Sequence, residues 1–214
     1  SGMFGNAARN PIQVLAEIIA SLRNPDGSVA IEGFYDDVRE LPDAIKAQWQ
    51  TLGFDEKEFL AGAGLTTPAG EAGRSVMEQT LARPTCEING IIGGYTGDGF
   101  KTVIPAKASA KISFRLVADM DPAKVREAFR KHVTDRLPPD AKVSFHGHGG
   151  SPAVAVPTDG PFVAMAAAAL KDEWGKDAAL IGSGGSIPVA GDFKRILGLD
   201  TLLIGFALDD DRIH

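Results

Sequence analysis

Cysteine is nearly absent from this chain. Cys86 stands alone, so no internal disulfide can form, and a lone thiol fits a reducing compartment. Runs of Lys or Arg are absent too, and the net charge is −6. Nucleic acid and acidic membrane surfaces are therefore not expected as partners. No apolar stretch reaches the roughly 18 residues that a membrane span needs. The opening Ser1-Gly2-Met3 carries no charged and apolar signal regions and is uninformative about export. There is no internal repeat and no low-complexity tract. The Gly-rich stretch at 182–186 has neither the lysine of a nucleotide-binding P-loop nor the G-x-G-x-x-G spacing of a dinucleotide site. No G-x-S-x-G elbow is present to support Ser183 or Ser186 as a nucleophile. What remains is ordinary globular composition, 214 residues with 44% hydrophobic and 23% charged, room for one large domain or two small ones.

Asn10 can cap a helix whose first residue is Pro11, with Ile12, Leu15, Ile18, Ile19 and Leu22 on one face. Asn24-Pro-Asp-Gly27 is a turn. Residues 33–83 have a different texture. Short helices are expected from Asp43 to Trp49 and from Asp55 to Leu60, and 62–73 is a Gly/Thr/Pro-rich loop. This segment reads as an insertion at a rim or an interface. Extended structure is expected at 85–92, briefly at 101–104, and most clearly from Ala108 to Val117. There Ala110, Ile112, Phe114 and Leu116 face one way, and Ser109, Lys111, Ser113 and Arg115 the other. Asp121 caps a helix begun by Pro122, with Val125, Phe129 and Val133 along one side, and 142–146 reads as a further strand. That order suits a small antiparallel sheet with helices on one side.

After the composition break His146-Gly-His-Gly-Gly-Ser-Pro152 the pattern becomes α/β. A helix from Pro161 to about Trp174 is followed by a strand at 179–181 and a helix through Phe193 and Ile196. A closing apolar strand, 201–205, runs on into Asp209-Asp-Asp211 and His214. Two parallel strands cannot bury both faces of a sheet, so this second piece reads as part of a domain.

Candidate chemistry is scattered along both pieces. A strand delivering Asp and His at its carboxyl end is where open α/β sheets place their chemistry, and a solvated acidic tail has the same composition. Gly182-Ser-Gly-Gly-Ser186 offers backbone N–H groups to an anion, or is a tight strand-to-helix turn. His146 and His148 either share a metal or lie in solvent. His132, among Arg130, Lys131 and Asp135, reads as part of a solvated helix face. Arg115 projects from the polar face of a strand, where a guanidinium suits a substrate carboxylate or a surface ion pair.

Six blocks follow one another across nearly the whole chain: Ser1-Gly-Met-Phe-Gly5, Arg83-Pro-Thr85 with Ile88-Asn-Gly-Ile91, Lys101-Thr-Val-Ile-Pro-Ala-Lys107, Ile112-Ser-Phe-Arg-Leu116, Gly184-Gly-Ser-Ile-Pro188, and the ending from Asp210 to His214. Together they resemble the metal-dependent peptidases of the M20 family, in its carnosine-dipeptidase-like branch. The resemblance implies an α/β fold in two parts. The first is a ferredoxin-like α+β lid, a four-stranded antiparallel sheet with two helices, which also makes the homodimer. It would span residues 1–153, with the insertion at about 33–83. The second, 154–214, would be the C-terminal portion of the catalytic domain.

Carried over by position, Arg115 matches the arginine that binds the substrate's carboxylate. Thr102 matches a substrate-contacting residue that can reach a neighbouring subunit's site. Gly185 and Ser186 match the loop that holds the substrate's carboxyl end, and His214 matches a metal-binding histidine. The family's H-x-D motif, bridging Asp, paired glutamates (one the general base) and further carboxylate ligand are not in this sequence, nor is the Ala-Pro-Asn-Glu that usually follows the last histidine. The chain therefore reads as an internal piece, cut within motifs, with no catalytic residue of its own. The intact protein is expected to be a cytoplasmic dipeptidase or related amidohydrolase. It would use two divalent metal ions, zinc or manganese, on small peptides with a free carboxylate. The fragment alone is expected to hold no dinuclear centre and to be inactive. Arg115 and Ser186 would equally serve an M20-type enzyme acting on N-acyl amino acids. A stand-alone dimerisation or binding module is the reading from a different class.

Overall fold

The computed structural model describes residues 2–183 and 187–206. After a 3₁₀ turn at Gly2–Phe4, the first helix, α1, spans Pro11–Ala20. Asn10 Oδ1 accepts from the Ile12 N–H at 2.9 Å, and Pro11 removes one N–H that would otherwise be unpaired. The chain then reverses through the 24–27 turn, where Asn24 O accepts from the Gly27 N–H at 3.0 Å and Arg23 bridges Val29. Gly27 is obligatory here. Its φ is +82°, and an added Cβ would lie 2.1 Å from Gly70 O.

Three short helices follow: α2 (Asp43–Gln50), α3 (Glu56–Gly62) and α4 (Val76–Leu81). Asp55 caps α3 by accepting from the Lys57 and Glu58 N–H groups at 2.9 and 3.1 Å. The sequence reading placed no helix at 76–81. There Ser75 and Glu78 form a reciprocal capping box: Ser75 Oγ accepts from the Glu78 N–H at 3.1 Å, and Glu78 Oε2 accepts from the Ser75 N–H at 3.0 Å.

The hairpin is β1 (Thr85–Gly93) paired antiparallel with β2 (Ala108–Arg115). A one-residue bulge at Asn89 shifts the register, so that Ile88 faces Ile112 while Gly90 faces Lys111. The alternation expected of β2 is present, with Ala110, Ile112 and Phe114 half-buried and Lys111, Ser113 and Arg115 exposed. Helix α5 (Pro122–Thr134) is capped by Asp121, which accepts from the Ala123 N–H at 2.8 Å. One face of the hairpin carries α1 and α5: Ile12 of α1 lies within 3.0 Å of where a Gly93 Cβ would stand, and Phe129 of α5 packs edge-on against Phe114 at 5.4 Å.

Between these layers lies the core of Leu22, Val29, Ile31, Phe34, Cys86, Met120 and Val125, with Ile112, Phe114 and Phe129 packed against it. Phe34, 2% exposed, meets Tyr35 at 5.2 Å and Phe114 at 5.9 Å. Burying a side chain of this size contributes about 1.5–3 kcal/mol.

The expected four-stranded sheet is not confirmed. Among the described residues the sheet has two strands. Residues 101–104 and 142–146 run without ladder partners; the second is held by a side chain instead, with Phe145 against Phe129 at 6.1 Å and under the Arg130 guanidinium at 5.6 Å. Beyond residue 153 the helices arrive as expected, α6 at Pro161–Trp174 and α7 at Pro188–Asp192, the latter running into a π-helical turn at Phe193–Leu197. Neither 179–181 nor 201–206 is a strand. Extended backbone becomes a strand only beside another edge with free N–H and C=O groups, and neither segment meets one. Phe162 of α6 is 73% exposed and no residue of that helix is buried.

Candidate substrate-binding site

Arg115 is the last residue of β2, paired with Thr85 and pointing to the face away from the core. Its pairing with Thr85 of β1 fixes its Cα, so the guanidinium is presented from a strand end. Among the described residues no carboxylate pairs with it. A planar, permanently charged fork in that situation is matched to a carboxylate arriving from outside.

The arginine immediately upstream of β1 is treated differently. Arg83, 10% exposed along its side chain, donates from Nε and Nη2 to Glu71 at 2.9 Å each, and its guanidinium lies 5.3 Å from the Tyr35 ring centroid. Arg74 donates from Nη2 to Glu40 at 2.7 Å and lies 3.7 Å from Glu78, which also faces Lys46 at 3.6 Å. The Arg74 hydrogen bonds hold the Glu40 carboxyl well below its usual range, at about 2. These two arginines are structural. They lock the 40–83 segment to the start of the hairpin.

Thr102 lies in the 94–107 loop and is exposed. The loop is braced around Tyr95, whose hydroxyl donates to Asp98 O at 2.8 Å and whose ring carries Lys101 Nζ 5.8 Å from its centroid. It joins the Gly93–Ala108 end of the hairpin, whereas Arg115 closes the other end. Seven residue steps along β2 separate the two ends by about 23 Å. Arg115 and Thr102 are thus rooted at opposite ends of one hairpin.

Gly185, Ser186 and His214 lie outside the described residues. The backbone leading to the first two is described, and it is gripped by side chains that the sequence reading passed over. Gln48 and Trp49 of α2 bond the main chain of 178–180. A tryptophan on a short helix was the visible signal for a buried contact; its hydrogen-bonding partner, some 130 residues on, was not.

The histidines need one correction. His132 is not on a solvated face: it is 5% exposed, with Nε2 2.9 Å from Ser21 Oγ. The Ser21 hydroxyl thus sits between His132 Nε2 and Ile18 O, the latter at 2.7 Å. Burial, then the Arg136 guanidinium, pushes this imidazole below its ordinary value. His146 and His148 are both exposed. Among the described residues no group of three or more His, Cys, Asp or Glu side chains could hold a metal ion. These residues therefore do not fit a dinuclear centre by themselves.

A two-stranded hairpin backed by two helices, with an exposed arginine at its end and a helical excursion tied to its first strand, defines a small α+β domain. A family model described as the peptidase dimerisation domain of the M20 type matches residues 1–141, and the chain belongs to this family. The Cys-Gly metallodipeptidase DUG1 of Candida albicans is 32% identical over 219 residues, covering all of this chain and 45% of the relative. Among solved structures, the M20 family metallo-carboxypeptidase Sso-CP2 of Sulfolobus solfataricus superposes with a TM-score of 0.79 at 33% identity, over 91% of this chain and 50% of that one. The dipeptidase Dug1p of Saccharomyces cerevisiae gives 0.77 at 28% identity, over 94% and 42%. The chain thus spans about 45% of the length of the curated relatives it matches. Among the described residues no helix is long and apolar enough to cross a membrane.

Proposed function

We propose that this chain is the lid and part of the catalytic domain of a divalent-metal-dependent dipeptidase, and that its own task is to recognise the carboxylate end of a small peptide. The observation that carries the reading is Arg115, exposed at a strand end, with no carboxylate partner among the described residues, in a chain of the M20 dimerisation family. The named relatives act on substrates of fitting chemistry, a Cys-Gly dipeptide in one case and carboxypeptidase substrates in another. In this reading residues 1–153 are the lid, with its insertion at 33–83, and form the homodimer. Residues 154–214 belong to the catalytic domain, and the bare apolar side chains of α6 give that part a face to pack on further structure.

Arg115 binds the carboxylate, Gly185 and Ser186 meet the same end of the substrate, and Thr102 serves the neighbouring subunit's site. The 23 Å or so between the ends of the hairpin supports that division of labour. His214 supplies one metal ligand. Zinc or manganese, as a pair of ions, would polarise the scissile carbonyl in the whole enzyme. By itself the chain is inactive. A cytoplasmic setting is consistent with the single, buried thiol of Cys86.

Kinetics on the full-length protein test this. Dipeptides, their C-terminal amides and N-acetyl amino acids are compared in wild type and Arg115→Ala. Losing one charged hydrogen-bonding group costs about 1.5–3 kcal/mol, so KM for the free acids should rise roughly 10- to 150-fold with little change for the amides. Equal behaviour of acids and amides in both proteins would refute the carboxylate role, and preference for the N-acetyl compounds would move the substrate class.

A further inference from the structure

The polar face of β2 presents Ser109, Lys111, Ser113 and Arg115, all exposed. Recognition of a terminal carboxylate needs only the last of these. Opposite them on β1 stand Ile92, Gly90, Glu87 and Thr85. The only carboxylate on either strand is Glu87, and Arg23 answers it at 3.7 Å. Lys111, like Arg115, has no carboxylate partner among the described residues. Its neighbour in the register, Gly90, has no side chain, and the Lys111 stem lies over it, with Cδ 3.7 Å and Cγ 3.9 Å from where a Cβ would stand. A four-carbon stem laid on bare strand backbone keeps its ammonium near the sheet instead of far out in solvent.

Two unanswered cations thus share one face of one strand, four residues apart, with the Ser113 hydroxyl between them. Their Cα atoms are separated by about 13 Å. In an extended dipeptide whose first residue is glutamate, the side-chain and terminal carboxylates stand up to about 9 Å apart. The difference of about 4 Å is within the reach of a lysine and an arginine side chain. A neutral dipeptide of the same length would leave the Lys111 charge without a partner.

We infer that Lys111 determines specificity: together with Arg115 it selects dipeptides that carry a second negative charge on the residue ahead of the terminal one. The inference rests on the carboxylate reading of Arg115 and narrows its substrate class. Arg115 meets a group that every free dipeptide has, so it cannot tell one dipeptide from another. A second cation on the same strand face can, because only an acidic first residue brings a charge to it.

Kinetics on the full-length protein with two near-isosteric substrate pairs, Glu-Gly with Gln-Gly and Gly-Glu with Gly-Gln, test this. Lys111→Met keeps a stem over Gly90 and removes the charge, whereas Lys111→Arg keeps a charge. Within the first pair the terminal carboxylate is the same, so the ratio of kcat/KM values reports the second charge alone. That ratio should fall about three- to fivefold in Lys111→Met, the effect of one exposed ion pair, and stay within about twofold of wild type in Lys111→Arg. Raising the salt concentration should lower it in wild type and leave it nearly unchanged in Lys111→Met. The Gly-Glu to Gly-Gln ratio should move by less than about twofold. A first ratio that Lys111→Met leaves unchanged, whether or not all four rates fall together, overturns the inference, and so does an equal change in both ratios. If Arg115→Ala affects free acids and their amides alike, the carboxylate reading falls and takes the inference with it. If Arg115→Ala selectively loses the free acids while Lys111→Met keeps the first ratio, the inference alone falls.

Discussion

The bond between His132 and Ser21 ties α5 to the end of α1, and its loss can be predicted in size and in pH dependence. Ser21→Ala deletes the hydrogen-bond partner of a ring nitrogen on a residue that is 5% exposed. An unsatisfied buried polar group costs about 1–3 kcal/mol, so the urea midpoint should drop by that free energy divided by the denaturant slope. The second perturbation is pH. Burial depresses the folded-state value of His132 below 6.5. The unfolded chain therefore takes up a proton first as pH falls. Stability from this residue is whole above about 6.5 and declines below it, by at most about 1.4 kcal/mol per pH unit, until the folded-state value is passed. His132→Gln keeps an N–H donor and cannot titrate. Urea unfolding followed by circular dichroism at pH 7.5 and 5.5 should show wild type losing more stability than His132→Gln between the two. The same pH dependence in both proteins, or a Ser21→Ala cost below about 0.5 kcal/mol, would refute the buried neutral imidazole.

Arg83→Met should cost about 1–3 kcal/mol in the same assay, because it leaves the sheltered Glu71 carboxylate only the longer, 3.9 Å pairing with Arg74. A loss under about 1 kcal/mol would mean that the Arg83–Glu71 pair behaves as an ordinary surface one. Cys86 is buried, and desolvation followed by the Glu87 charge pushes its thiol up to about 11. It should therefore resist a thiol reagent at pH 8 in the folded protein and react on unfolding in urea; rapid reaction without urea would contradict its burial.

Much of this fold was legible where local chemistry decides it. Asn10-Pro11 and Asp121-Pro122 announce helix starts, and the alternation from Ala108 to Arg115 announces a strand with one wet face. The Ser75/Glu78 capping box was equally local, but it followed a Gly-rich stretch that reads as loop. His132 lies four residues from Ala128 and seven from Val125, on the buried stripe, yet its charged neighbours suggested solvent. Strand character at 142–146 and 179–181 was misjudged for a different reason. Extended backbone can be read from composition, whereas a pairing partner belongs to the rest of the molecule. At 178–180 that partner is a glutamine side chain. Of the candidate site, Arg115 was visible because a strand end is a local feature; its freedom from the ionic network around Arg83 and Glu71 required the folded chain.

The bulge at Asn89 has an evolutionary consequence. Before it, Cys86 and Ile88 oppose Phe114 and Ile112 on the core side; after it, Ile91 and Gly93 oppose Ala110 and Ala108 on that side. Core parity changes from even to odd numbers at a single residue. Removing Asn89 would join the two halves of β1 with every side chain still on its own face. A one-residue deletion within the first half, at Glu87 for example, would turn the remainder of that half over. Along this strand, Asn89 is the position whose loss leaves the core face intact.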